Sequence, residues 1–257
     1  MAKQLGWFLK NQQKNISLYF CFQIFSLSLH YLSSHYLSSH KNCATNTLLT
    51  VHIVIAGNIG SGKTTLTNLL AKHYGWVPKF EPVDHNPYLD DYYKDIPRWS
   101  FALEVFFLKQ RFRDLLDIAQ SDVTVIQDRS IFEGVYVFAA NNHAMGSLDD
   151  RDFDCYMQLF ESMMTVVKVP DLMIYLRASI PHLVQNIQRR GRDYEQLMQL
   201  DYLKNLNLLY EDFIYQQYKG KVLTVNVDEI DFLNRKADLA KIIERIDANL
   251  FGLFPNQ

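Results

Sequence analysis

Residues 51–74 constrain this chain more than any other stretch. Val51-His52-Ile53-Val54-Ile55-Ala56 is an apolar, largely β-branched run suited to a parallel strand buried on both faces. Thr65 to Tyr74 reads as a helix stopped by Gly75. Between them stands Gly57-Asn58-Ile59-Gly60-Ser61-Gly62-Lys63-Thr64, a complete Gly-x-x-x-x-Gly-Lys-Thr loop. Glycines in that pattern let the backbone turn its N–H groups inward around a phosphate, and the helix N-terminus adds partial positive charge. Lys63 can reach the β- and γ-phosphates and the Thr64 hydroxyl can ligate Mg²⁺. The stretch therefore predicts binding of a nucleoside triphosphate such as ATP, with Mg²⁺.

The chain has 257 residues, 48% of them hydrophobic, which is enough for one sizeable core. Its net charge of −2 argues against nucleic acid or an anionic membrane as partner. Charge is unevenly placed: residues 1–50 hold four lysines and no acid, while 51–257 hold 22 basic and 28 acidic residues. In the first segment His30-Tyr31-Leu32-Ser33-Ser34 is repeated at once as His35-Tyr36-Leu37-Ser38-Ser39. Ser17 to Leu32 is apolar but interrupted, and short for a membrane span. A targeting peptide would be acid-free but arginine-bearing, and no arginine occurs before Arg98; a signal anchor is a further option. We read residues 1–50 as a dispensable low-complexity extension and 51–257 as the functional domain. Cys21, Cys43 and Cys155 lack CxxC spacing, so neither a disulfide framework nor a zinc site is expected, and a reducing, cytoplasmic setting fits.

Beyond the loop, strands alternate with helices. Strands are expected at 76–80, 123–127, 172–176 and 221–227, and helices at 98–121, 132–141, 149–168, 180–189, 196–219 and 237–250. This alternation predicts an α/β fold, a five-stranded parallel sheet with helices on both faces. Its strand ends deliver Glu81-Pro82-Val83 and Asp128-Arg129-Ser130 to the edge where such sheets bind ligands.

The phosphate loop, Phe80-Glu81-Pro82-Val83, Trp99-Ser100-Phe101, Asp128-Arg129-Ser130 and Arg190-Gly191-Arg192 occur in order, and together they resemble the deoxyribonucleoside kinase family. The resemblance covers about residues 50–257. It implies a P-loop kinase fold with an Arg-rich lid, and transfer of the ATP γ-phosphoryl group to the 5′-hydroxyl of a deoxyribonucleoside. On that resemblance Glu81 is the catalytic carboxylate, Asp128 holds Mg²⁺ with Thr64, and Arg129 braces Glu81 and the moving phosphate. Arg190 and Arg192 are the lid arginines; the position four residues before Arg190, often arginine in the family, is Asn186, and Arg189 is the candidate substitute. Thr65, Asp228 and Ile230 complete the expected ATP contacts. Tyr93 and Glu195 match the pair that holds the 3′-hydroxyl. Ile59, Val83, Leu103 and Phe138 map to the walls around the base.

The base-reading edge departs from the family: Glu104 stands where glutamine is common and Gly134 where aspartate is, while Arg111 is retained. Arg111 lies seven residues after Glu104, on the same helix face, and is expected to keep it ionised. An ionised carboxylate only accepts hydrogen bonds, which suits the N1–H and N2–H donors of guanine, so deoxyguanosine is expected over deoxyadenosine. The resemblance further implies a homodimer through the helices near 98–121 and 149–168. Two rivals are a nucleoside monophosphate kinase, against which the carboxylate at Glu81 argues by repelling an acceptor phosphate, and a silent nucleotide-binding subunit, against which the intact Lys63, Thr64, Glu81, Asp128 and Arg129 argue.

Overall fold

The computed structural model describes residues 50–81, 86–192 and 199–252, with the side chain of Tyr93 outside that description. The expectations for residues 1–49, for Val83 and for Glu195 lie outside the described residues.

Five strands form one parallel sheet: β1 (His52–Gly57), β2 (Val77–Lys79), β3 (Val125–Asp128), β4 (Leu172–Arg177) and β5 (Val222–Asn226), in the spatial order β2-β3-β1-β4-β5. Among the described residues eight helical elements connect or follow them. They are α1 (Lys63–Tyr74), α2 (Leu89–Lys94), α3 (Ile96–Ala119), α4 (Ile131–Glu133, a π-helical stretch Gly134–Ala139, then Ala140–Ala144), α5 (Asp150–Met164), α6 (Ile180–Arg190), α7 (Leu200–Asp212 with a π-helical end Phe213–Gln217) and α8 (Lys236–Leu250).

The alternation of side chains along a strand explains the helices on both faces. Val54 and Ala56 of β1, with Met173 and Tyr175 of β4, enter one core with Leu108 of α3, Tyr156 of α5 and Tyr210 of α7. Ile53 and Ile55, with Ile174 and Leu176, enter the other with Leu66 of α1, Leu183 of α6 and Ile242 of α8. Because β1 is central and apolar on both faces, its carboxyl end is fixed from all sides, and the phosphate loop leaves from there. Pro78, which has no N–H to give, sits on the edge strand β2 as the chemistry of proline requires.

α5 ends at Met164, short of the expected 168, and two further boundaries differ from expectation for local reasons. β3 starts at Val125 rather than Val123, because the Val123 amide donates to the Ser121 hydroxyl and forms a turn instead of joining the ladder. α3 begins at Ile96, capped by the Asp95 carboxylate and with Pro97 in its first turn.

Candidate active site

The phosphate loop is a backbone device. Gly57, Gly60 and Gly62 have φ of 149°, 85° and 93°, conformations that an L side chain rarely adopts. A Cβ at Gly60 would stand 2.8 Å from the Leu183 carbonyl oxygen, so α6 and the loop touch as bare backbone. The Asn58 side chain ties the loop to α7: its Nδ2 donates to the Leu203 carbonyl at 3.1 Å and to Asn207 Oδ1 at 2.9 Å, while its Oδ1 accepts from the Ile59 amide at 2.8 Å. Ile59 packs against the first core. Ser61 Oγ is buried and makes no hydrogen bond among the described residues.

Lys63 folds back on the loop, donating to the carbonyls of Gly57 at 2.8 Å and Asn58 at 3.0 Å. Burial and then Arg129 push its ammonium down to about 8, against the pull of Asp128, Glu133 and Glu81. Beside it the Thr64 hydroxyl donates to Asp128 Oδ2 at 2.5 Å. This pair of hard oxygen donors fits Mg²⁺, which keeps waters and phosphate oxygens in its shell and needs only one or two protein ligands. The glycine cradle, the orphan Ser61 hydroxyl and the Thr64–Asp128 pair together suit a magnesium-bound polyphosphate.

Glu81, just beyond β2, lies between two guanidiniums. Arg111 Nη2 donates to its Oε1, and Arg129 Nε is 3.3 Å from its Oε2. Burial opposes ionisation of Glu81, but Arg129, Arg111 and Lys63 outweigh it, so its carboxyl stays below the ordinary range and is charged at neutral pH. Arg129 has φ 73°, the only non-glycine residue with positive φ among the described ones. That left-handed turn between β3 and α4 lets the backbone N–H bond Ile55 O at 3.0 Å while the guanidinium lies over the Phe138 ring at 4.3 Å.

Arg111 is thus the partner of Glu81 and not, as the helix spacing suggested, the group that holds Glu104 ionised. Glu104 is buried, and its Oε1 accepts from Asn142 Nδ2 at 2.9 Å. Burial pushes its carboxyl up to about 7, with Arg111 and Arg129 opposing and Glu81 assisting. Gly134 has a steric meaning: a Cβ there would stand 2.9 Å from Arg111 Nη1, so an aspartate at that position would displace the guanidinium from its present place. Leu103 is buried on α3.

A cavity of about 260 Å³ runs from the phosphate loop and the start of α1 to the segment after β5, and Thr65, Asn186, Arg189 and Ile230 line it. Asp228 lines it too, but its carboxylate also accepts from the Ser179 amide and hydroxyl at the start of α6. Arg190 closes α6, and Arg192 follows Gly191 at φ 66°. Asn186 donates to the Gly60 carbonyl at 2.8 Å and accepts from Arg189 at 2.7 Å, tying α6 to the phosphate loop. The backbone of Tyr93 lies in α2.

Two buried residues escaped the reading of the sequence. Glu133 accepts from the Gly57 amide at 3.3 Å, the Ser130 amide at 2.7 Å and the Tyr210 hydroxyl at 2.8 Å, and so staples the phosphate loop to the Asp-Arg-Ser turn. The Ser130-x-x-Glu133 spacing is a capping box and could have disclosed it. Asn142, which orients Glu104 and accepts from Tyr92 at 3.2 Å, carries no signal in the sequence.

A phosphate loop after the central strand of a parallel sheet, a metal-suited Thr–Asp pair and a charged carboxylate facing it define a P-loop phosphotransferase. Comparison with known proteins narrows the class. The sequence profile of the deoxynucleoside kinase family matches residues 53–251. A deoxyadenosine/deoxycytidine kinase of Bacillus subtilis is 35% identical over 76% of this chain and 90% of its own length. A deoxyguanosine kinase of Lactobacillus johnsonii is 35% identical over 77% and 92%. The solved deoxyadenosine kinase of M. mycoides with bound dATP superposes with a TM-score of 0.68, at 28% identity, over 77% of this chain and 99% of that one. The chain belongs to the deoxynucleoside kinase family, and it is an ATP-dependent kinase of deoxynucleosides. Among the described residues no helix is long and apolar enough to cross a membrane.

Proposed function

We propose that this chain phosphorylates the 5′-hydroxyl of a purine deoxyribonucleoside, with Mg·ATP as donor. The observation that carries the reading is Glu81, an ionised carboxylate held between Arg111 and Arg129 and facing the phosphate loop. A weak nucleophile such as a 5′-hydroxyl needs its proton accepted and its lone pair aimed. In a loose phosphoryl-transfer transition state the aim matters more than the strength of the base, so a carboxylate of low basicity serves. Arg129 steadies Glu81 and sits where charge develops on the transferring group; Lys63 leaves its loop carbonyls for the phosphates. Thr64 and Asp128 hold Mg²⁺, which when bound draws charge from the phosphate oxygens. Arg190 and Arg192 close over the transferring group as guanidinium forks. Tyr93 and Glu195 hold the 3′-hydroxyl and exclude ribose, and Val83, Leu103 and Phe138 flank the base. Relatives named for deoxyadenosine and deoxyguanosine support the purine reading. The same reading has the enzyme working in the cytoplasm as a homodimer through α3 and α5, with residues 1–50 outside the functional domain.

The test is ADP release from ATP with each of the four deoxynucleosides in turn, with and without chelation of Mg²⁺. Turnover is expected with deoxyguanosine and deoxyadenosine above the pyrimidines, and none in the chelator. A pyrimidine preference, or turnover that survives chelation, refutes the corresponding part.

A further inference from the structure

We propose that Glu104 chooses between the two purines by its own protonation, ionised for guanine and neutral for adenine, so that base preference moves with pH. The inference rests on the purine reading above and concerns the same site.

The geometry begins with a carboxyl group that is only half engaged. Glu104 is 4% exposed, and Asn142 Nδ2 donates to Oε1 at 2.9 Å. No described residue donates a hydrogen bond to Oε2. Asn142 is itself held by the Tyr92 hydroxyl, so the carboxyl plane is set by a chain running from α2 through α4 to α3. One oxygen is therefore positioned and the other remains available to a ligand.

The charges around Glu104 leave its protonation finely balanced. Arg111, on its own helix, is engaged with Glu81, and Arg129 lies after β3; both favour the anion, whereas Glu81 beyond β2 disfavours it. Tyr156 on α5 contributes no charge near neutrality, since burial raises its phenol well above the usual range. Burial is the largest influence and favours the neutral acid, and the sum pushes the carboxyl up to about 7. Had Arg111 paired with Glu104, the group would be an anion throughout the neutral range; its commitment to Glu81 makes the second protonation state accessible.

The two states read different edges. A neutral carboxyl offers one donor and one acceptor, the same complement as a glutamine amide, and matches adenine with its N1 acceptor and N6–H donor. The anion only accepts, and matches adjacent N1–H and N2–H of guanine. Each oxygen has two lone-pair directions, so the bond from Asn142 does not block either mode.

The test is kcat/KM for deoxyguanosine and for deoxyadenosine across roughly pH 6 to 8.5, in the parent and in Glu104→Gln. Every group that serves both substrates alike, including Glu81, the lid arginines and ATP, cancels in the ratio of the two. The parent ratio of deoxyguanosine to deoxyadenosine is expected to rise about tenfold per pH unit through the neutral range, because one substrate follows the anion and the other the acid. The Gln variant is expected to give a flat ratio on the deoxyadenosine side. A flat ratio in the parent with both purines phosphorylated overturns this inference alone, as does a slope that survives in Glu104→Gln. If only pyrimidines are phosphorylated, the purine reading falls and this inference with it.

Discussion

Around the phosphate loop, position is set by backbone: three glycines at positive φ, two loop carbonyls that park Lys63, and a close approach of α6 at Gly60. Around Glu81, position is set by side chains drawn from distant parts of the chain, Arg111 from α3, Arg129 from the end of β3 and Phe138 from the π-helical stretch of α4. A polyphosphate presents the same oxygens whatever nucleoside carries it, so a fixed cradle of N–H groups suffices for the donor. An acceptor must be told apart from its analogues, and that calls for donors, acceptors and charges that can be exchanged one residue at a time. On the proposed function, the donor half is contiguous and the acceptor half is assembled.

Substitutions should separate the halves. The largest effect belongs to Glu81→Gln, which on the proposed mechanism removes the proton acceptor while leaving the cradle intact: kcat should fall by about 10²–10⁴ with ATP binding unchanged, read by steady-state kinetics and by nucleotide titration. Turnover within a few-fold of the parent would show that Glu81 takes no part in the chemistry. Next is Gly60→Ala on the donor side. Its Cβ meets the Leu183 carbonyl at 2.8 Å and the residue must hold φ 85°, a strain of roughly 1–3 kcal/mol. KM for ATP should rise by roughly 5- to 150-fold while KM for the deoxynucleoside barely moves. An equal rise in both would mean that the halves are not independent.

Glu133→Gln tests the staple between them and should show mainly in stability. The amide sets a donor among the amides of Gly57 and Ser130, leaving buried polar groups unpaired at a cost of about 1–3 kcal/mol. Thermal denaturation should show a loss of roughly 2–4 °C per kcal/mol. No loss would mean that the loop and the Asp-Arg-Ser turn hold their places unaided. The smallest effect is expected from starting the chain at Thr50, which leaves both halves untouched: kcat/KM should stay at the full-length value, and a drop would place residues 1–49 in the functional unit.

How far the sequence could be read follows the same division. The Gly57–Thr64 loop could be placed from eight consecutive residues, because the strand before it and the helix after it carry their own periodicities. The strand-end positions of Glu81 and Asp128 followed from strand length alone. The partners of Arg111 did not. Helix spacing puts Arg111 and Glu104 on one face, but which carboxylate the guanidinium meets depends on where β2 ends relative to α3, and on Gly134 leaving room beside Nη1. Nor did the anchoring of the loop to α7 through the Asn58 side chain, which depends on where Leu203 and Asn207 come to lie.

The sequence alone therefore determined the fold class, the donor loop and the residue types available at each strand end, because those depend on local periodicity and on contiguous backbone chemistry. Tertiary structure alone decided which charges pair and which are buried without an ion pair. It gave Arg111 to Glu81, held Glu104 by Asn142 and buried Glu133 between two loops, because the energy of a charge depends on its burial and its neighbours, and neither is a property of sequence distance.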